Sequence, residues 1–443
     1  MIVNHGNLKI NKTIRVLLIL LSFTILFGQA SAAIQPVAAA ETNNSVILMI
    51  GDGMGPEQVE FGRLVEYGPS GESAIQSFPY ENTVGTDNID GTTTDSAASG
   101  TAISSGVKTK NGRIGVNFDA SVELTTILEI CESNSYKTGL IATCHMTHAT
   151  PAAFAAHDAD RGNYNAIAED MAASGVDLLM GGGNSTDYFG NEIADLQSNG
   201  YDYVQTITEL ESASTLPLLG LFDSGSLSKE ENRDNETVPS LSEMVEKGIN
   251  MLDSAGDPFF LMVEGSQIDW AGHASDKQYL AHEMVEFEKA VRVARSYATQ
   301  KTNVQLLVTA DHECGGLSID SYSFSTDLPQ PGDSLTENRT TRNSRASEIG
   351  VSWIGMGGHT KTKVPLVGMG PYTSEIESAE HHVDTFSIMR QAVDGATEPG
   401  GSGWYDGYID PIWFYSIGGV AAAAVIIFVI YKKKASASAG NAS

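Results

Sequence analysis

Residues Ser45–Gly55 read "SVILMIGDGMG". The run Ser45 to Ile50 is apolar almost throughout and too short for an ordinary helix. It reads as a strand buried on both faces, the habit of a parallel sheet covered on each side by helices. Gly51, Gly53 and Gly55 let the backbone turn tightly and carry Asp52 just past the carboxyl end of that strand. In open α/β sheets this is the edge where ligands bind.

Four further runs share the pattern: "TGLIAT" (Thr138 to Thr143), "PFFLMV" (Pro258 to Val263), "VQLLVT" (Val304 to Thr309) and "VPLVGM" (Val364 to Met369). Amphipathic stretches lie between them. In "YLAHEMVEFEKAVRVARSYATQ", Leu280, Met284, Phe287, Val291 and Ala294 recur at helical spacing. Strands alternating with helices predict an α/β fold with a mostly parallel central sheet sandwiched by helices. The Gly-, Ser- and Asp-rich segments Gly181 to Ser240 and Glu313 to Gly358 read as insertions over the sheet edge.

Ligand-type side chains follow most of these runs. Asp52 follows the first; His145, His148 and Thr150 follow the second; Glu264, Asp269 and His273 follow the third; Asp311 and His312 follow the fourth. A single acid in such a place is an ordinary cap or turn residue. Several on one edge of one sheet would repel one another, and divalent cations resolve the repulsion. Asp269 and His273 stand four apart and can reach one ion. Imidazole and carboxylate donors suit zinc, whereas an all-oxygen set such as Asp52, Thr150 and Glu264 suits magnesium. Spacing leads to a multi-metal hydrolase acting on an anion, without assigning each ligand to an ion.

The stretch "TTTDSAASGTA" (Thr92 to Ala102) adds a candidate nucleophile. Asp95 is a good N-cap, and Ala97, Ala98 and Ala102 favour a helix. Ser96 would then sit in a first turn, where unpaired N–H groups and a partial positive charge welcome an alkoxide or a phosphate.

The chain has 443 residues, is 41% hydrophobic and 18% charged, and carries a formal net charge of −29. Such acidity speaks against nucleic acid as a partner, which needs a basic face. If the substrate is an anion, bound metal ions must reverse the local field. Basic residues, the apolar run "VLLILLSFTILFG" and small residues make the N-terminus resemble a secretory signal peptide. Ile412 to Tyr431 is uncharged, with Trp413, Phe414 and Tyr415 at its first edge and Lys432 to Lys434 just past its last. That is a membrane-spanning pattern with a cytoplasmic tail. Cys131, Cys144 and Cys314 form no metal-type pair and read as small core residues.

Together, "GDGMG", "TDSAASGTA", "HATPAAFAAHDADR", "VEGSQIDWAGH", "VTADHECGG" and "GGHTKTKVPLVGMGP" resemble the alkaline phosphatase family, in order, over roughly residues 45–393. The resemblance implies that Ser96 is the nucleophile and that Arg161 clamps phosphate oxygens. It implies two Zn2+ and one Mg2+: one zinc on Asp269, His273 and His359, the second on Asp52, Asp311 and His312, and magnesium on Asp52, Thr150 and Glu264. His148 and Trp270 stand where the best-known bacterial enzyme has aspartate and lysine. They would line the substrate, and the histidine opens the third site to Zn2+ or Co2+. The expected organisation is a signal peptide and leader over 1–40, a catalytic domain over 41–394 and a linker over 395–411. A transmembrane helix over 412–431 and a short tail over 432–443 would complete it. The expected protein is a single-pass cell-membrane enzyme, catalytic domain outside the cytoplasm, able to form a homodimer and acting on small phosphate monoesters. The competing readings are a phosphodiesterase or sulfatase on the same scaffold, and a surface protein whose metals are structural. A sulfatase would carry its own modification motif around the nucleophile, which Ser96 lacks, and a diesterase more often presents threonine.

Overall fold

The computed structural model describes residues 44–324 and 339–395. The expected signal peptide, the linker beyond residue 395, the apolar run 412–431 and the tail lie outside the described residues. Among the described residues no helix is long and apolar enough to cross a membrane.

The strands are β1 (Ser45–Gly51), β2 (Tyr80–Val84), β3 (Lys137–His145), β4 (Leu178–Gly182), β5 (Asp202–Val204), β6 (Leu218–Leu221), β7 (Phe259–Gly265), β8 (Val304–Thr309), β9 (Glu313–Cys314), β10 (Leu317–Tyr322), β11 (Ile349–Trp353), β12 (His359–Thr360) and β13 (Val364–Met369). Nine of them form one sheet in the order β2-β13-β8-β1-β7-β3-β4-β6-β5. The strands from β8 through β5 pair in parallel, and β13 runs antiparallel to both β8 and β2. The expectation of a mostly parallel sheet is therefore met, with one reversed strand.

Every residue of β1, β7 and β8 is buried, so both faces of the sheet centre are covered. Helices Pro56–Tyr67, Leu241–Ser254 and Lys277–Thr299 pack together, and so do Ser96–Ser105, Ala149–Ala155 and His382–Asp394. The apolar stripe of Leu280, Met284, Phe287, Val291 and Ala294 is fully inside, as its spacing requires.

One expectation is corrected. Gly181 to Ser240 is more than an insertion: β5 and β6 lie within it and extend the main sheet beyond β4. Both are short, and "LLGL" in β6 carries too few residues to stand out by alternation. Among its described residues the second segment contains β9 to β11, outside the nine-stranded sheet, and leads to β12, which pairs with β9 in a ladder of His359 with Cys314 and Thr360 with Glu313.

The Lys277–Thr299 helix also buries Glu283, which accepts the Glu230 amide at 2.8 Å. Burial pushes its carboxyl up to about 8, and the carboxylates of Glu230 and Glu286 reinforce the shift against that single hydrogen bond. The folded chain thus holds a proton that the unfolded chain releases near its ordinary value of 4.5. The stabilisation is complete below that value and is lost as pH rises through about 8. Glu283→Gln keeps the acceptor and removes the titration. Denaturant unfolding at about pH 6 and about pH 9 should show the variant losing on the order of 2 kcal/mol less stability than the parent between the two. Parallel losses in the two proteins would contradict the assignment.

Candidate active site

The parallel register sets the site. β3, β7, β1 and β8 are successive neighbours, with Ile50 opposite both Glu264 and Thr309, and Ala142 opposite Glu264. Their carboxyl ends therefore fall on one edge at the middle of the sheet. Asp52 follows β1 at a turn where Gly53 has φ +74°. A Cβ on Gly53 would lie 2.7 Å from the Asp269 Cα, so only glycine lets the two segments approach.

Three groups of metal-type side chains meet at this edge, the donor atoms of each lying within 4.8 Å of one another: Asp269, His273, His359 and Cys314; Asp52, Asp311 and His312; and Cys144, His148 and Glu264. In the first, His273 Nε2 lies 3.2 Å from Asp269 Oδ2, and His359 Nε2 lies 3.3 Å from Oδ1. The two imidazole Nε2 atoms are 3.1 Å apart. The other ring nitrogens are committed to backbone carbonyls, His273 Nδ1 to Gly357 and His359 Nδ1 to Thr94. Those contacts leave both Nε2 atoms turned towards the carboxylate, the orientation a ligating histidine needs. In the second group His312 Nε2 lies 3.1 Å from Asp311 Oδ2 and 3.5 Å from Asp52 Oδ1. Asp311 Oδ1 is held by the amides of Gly53 and His312. The His312 and His359 rings stack 3.5 Å apart, which joins the two groups.

The electrostatics are those of an anion cage. Burial raises Asp52 well above the carboxylate range, and Asp311, Asp269 and Glu264 add to it. Burial likewise pushes Glu264 up to about 7. Burial opposes ionisation of Asp269 too, but the His273 and His359 imidazoles outweigh it and hold the carboxyl well below its usual value. Both oxygens of Asp52, Glu264 Oε1, Asp269 Oδ1, Asp311 Oδ2 and Thr150 Oγ1 are buried without a hydrogen bond. Buried polar atoms are rarely orphaned. An orphaned set converging on one edge fits divalent cations, whose charge satisfies the oxygens together.

Ser96 opens the helix Ser96–Ser105 and is buried, its Oγ 3.3 Å from His312 Nε2. Asp95 caps that helix by accepting the Ala98 amide at 3.0 Å. Its other oxygen takes the Gly112 amide at 2.9 Å and Arg161 Nη1 at 3.1 Å. The cap residue, next to Ser96 in sequence, thus also orients the guanidinium. Arg161 Nη2 stands 3.3 Å from His148 Nε2, and His148 meets the half-buried Trp270 edge to face at 6.0 Å. All twelve expected site residues lie in this one region: Asp52, Ser96, His148, Thr150, Arg161, Glu264, Asp269, Trp270, His273, Asp311, His312 and His359.

Three features escaped the sequence. Cys144 and Cys314 are buried, as core residues are, yet each belongs to a metal-type group. Asp95 does more than cap. An aromatic wall flanks His148: His145 stacks on Tyr188 at 4.0 Å and meets Tyr164 edge to face at 4.9 Å. Tyr164 and Tyr188 come from segments without a motif, so only the fold could assemble them. His157, His282, His381 and His382 stay outside the three groups.

The family model "Alkaline phosphatase" matches residues 43–392. Alkaline phosphatase 3 of Bacillus subtilis (strain 168) is 36% identical over 319 residues, 67% of this chain and 68% of that protein. The alkaline phosphatase of Escherichia coli (strain K12) is 28% identical over 430 residues, 83% of this chain and 90% of that protein. The solved alkaline phosphatase from the Antarctic bacterium TAB5 superposes with a TM-score of 0.67 at 33% identity, covering 79% of this chain and 97% of that one.

The charge crowding has a measurable consequence. Asp52→Asn removes the most strongly repelled carboxylate, so the metal-free variant should be more stable than the metal-free parent by about 2 kcal/mol. The parent should gain thermal stability when zinc is added, and the variant should gain much less. Scanning calorimetry of both proteins, stripped and zinc-loaded, checks both signs.

Proposed function

The chain belongs to the alkaline phosphatase family, and on that premise we propose that it hydrolyses phosphate monoesters through a phosphoserine formed on Ser96. One observation carries the reading. A buried serine hydroxyl at a helix N-terminus lies 3.3 Å from His312 of a group with orphaned carboxylate oxygens, and the Asp95 that caps the same helix holds a guanidinium. A nucleophile, an anion clamp and a cation cage together suit phosphoryl transfer.

The donor sets fit two zinc ions, one on Asp269, His273 and His359 and one on Asp52, Asp311 and His312. A third cation, Mg2+ in the family pattern, would be held by Asp52, Thr150 and Glu264. Bound there, such cations supply the positive charge that makes a hydroxyl or a water nucleophilic near neutral pH and neutralises departing alkoxide. Everything else is done by the chain. The first-turn amides of the Ser96 helix favour the phosphoryl oxygens and the developing serine alkoxide. Arg161, aligned by Asp95, holds two non-bridging oxygens in its planar fork. Ser96 Oγ gives up its proton to solvent and forms a bond to phosphorus as the ester P–O bond opposite breaks, and the departing alkoxide takes a proton from solvent to leave as the alcohol. Water then attacks the phosphoserine from the vacated side, returning Ser96 and inorganic phosphate. These contacts fall on the phosphoryl group, so the leaving group is weakly selected. His148 and Trp270 line the approach to it.

The N-terminal and C-terminal patterns are part of the same reading: an enzyme secreted through a signal peptide, tethered by 412–431 and acting outside the cytoplasm. A homodimer is compatible with it.

Ser96→Ala should remove phosphate release by at least about 10³-fold, and Arg161→Ala should raise KM for the monoester while Arg161→Lys restores little. Turnover of an aryl phosphate monoester and the matching diester on one preparation is the deciding comparison. Full activity in Ser96→Ala, or faster cleavage of the diester, would defeat the proposal.

A further inference from the structure

The third group contains a donor outside the oxygen set expected there. Cys144 sits at the end of β3, is fully buried, and has its Sγ 3.3 Å from Glu264 Oε2. Its amide is fixed by Ser266 Oγ at 3.1 Å, so the strand end cannot easily turn the thiol away. Cys144, His148 and Glu264 place one sulfur, one nitrogen and one oxygen donor within 4.8 Å of one another. Members of this group and a residue of the expected oxygen set carry orphaned atoms: His148 Nδ1, Glu264 Oε1 and Thr150 Oγ1 are buried without hydrogen bonds. The sulfur–oxygen separation is close to the edge of about 3.6 Å that typical zinc–sulfur and zinc–oxygen bonds subtend at a tetrahedral ion.

Resting on the reading of this group as a metal site, we propose that Cys144 is a thiolate ligand of the third cation, and that it makes the site select Zn2+ or Co2+ over Mg2+. Magnesium takes hard oxygen donors, keeps its waters and gains little from sulfur. Zinc and cobalt accept sulfur, nitrogen and oxygen at one tetrahedral centre. The ion displaces the thiol proton to solvent as the sulfur–metal bond forms. The selectivity resides in the pair Cys144 and His148, two donors that magnesium uses poorly, set against Glu264 and Thr150, which either ion accepts.

Two measurements test it. Stripped full-length protein is dialysed against equal zinc and magnesium, and its bound metal is counted by mass spectrometry. The parent should hold zinc in a third equivalent, and Cys144→Ser should shift that equivalent towards magnesium by at least about tenfold. A parent holding two zinc and one magnesium overturns the proposal. Second, cobalt is loaded into Cys314→Ser, which removes the other thiol near a metal group, and into Cys144→Ser/Cys314→Ser. The single variant should show a thiolate-to-cobalt charge-transfer band that the double variant lacks. Cobalt uptake by Cys314→Ser without that band overturns the proposal, whatever the fate of the double variant. X-ray absorption of zinc-loaded Cys314→Ser, in which Cys144 is the one thiol left in the three groups, should include sulfur at about 2.3 Å from zinc. Sulfur on zinc in that variant together with a zinc-loaded parent that releases no phosphate would defeat the phosphatase reading and leave the ligand assignment standing. Phosphate release with no sulfur on the metal does the reverse.

Discussion

The molecule is organised around a repulsion. Asp52, Glu264, Asp269 and Asp311 are brought together at adjoining carboxyl ends of parallel strands, deep enough that water does not screen them. Four carboxylates in low dielectric cannot all ionise without compensation. Burial and mutual repulsion raise Asp52 and Glu264 above the usual carboxylate range, whereas the imidazoles of His273 and His359 hold Asp269 below it. The fold tolerates the arrangement because the surrounding sheet is apolar and well covered. β1 and β7 contribute Val46 to Ile50 and Phe259 to Val263, all essentially without exposure, before either strand delivers its acid. Burial of that kind, at roughly 25 cal/mol per Å² of apolar surface, is the reserve against which a strained polar edge is set.

Holding the edge in shape takes contacts that are themselves far apart in sequence. His359 arrives through the two-residue ladder of β12 with β9, directly across from Cys314 and two residues from His312. Glu313 secures that ladder: its Oε1 accepts Gln58 Nε2 at 2.7 Å and the Gly316 amide at 2.9 Å, and its Oε2 accepts the Thr360 hydroxyl. Asp95 performs the corresponding task on the other side, tying the helix start, the Gly112 amide and Arg161 to one carboxylate. Neither Glu313 nor Asp95 needs to touch a ligand. Each converts loop residues into groups with fixed direction, which a site of several convergent donors requires.

The parts of this arrangement that were legible in the sequence are those with a local signature. β8 and β13 begin and end where the apolar runs do, and Asp52 and Asp311 follow strands, while Glu264 falls at the end of β7, because a long apolar run must end where the sheet ends. The Ser96 helix was legible from its cap. β5 and β6 were not, because three- and four-residue strands in a Gly- and Ser-rich segment carry no periodicity. The stretch "SVELTTILEICESN" (residues 121–134), another of the amphipathic stretches between the apolar runs, is helical only over Ile127–Ser133, since Thr126 caps the helix there. Cys144 was hidden for a different reason. A buried cysteine on a strand is ordinary core in sequence, and its closeness to Glu264 exists only through the pairing of β3 with β7.

An acidic chain handling an acidic substrate must confine its attraction to a small volume. The net charge of −29 repels a phosphate monoester at long range, and salt screens that repulsion beyond about 8 Å at physiological ionic strength. Inside that range only local charge matters. Arg161 supplies some of it, but the guanidinium already shares its Nη1 with Asp95 and cannot outweigh four carboxylates. The cage therefore has to be inverted in sign before it can attract an anion, and the orphaned oxygens are the means: each is an open valence for a cation. The acids do not weaken the case for an anionic substrate. Their number fixes how much positive charge the edge can hold, and thus how strongly the edge can draw a phosphoryl group once that charge is in place.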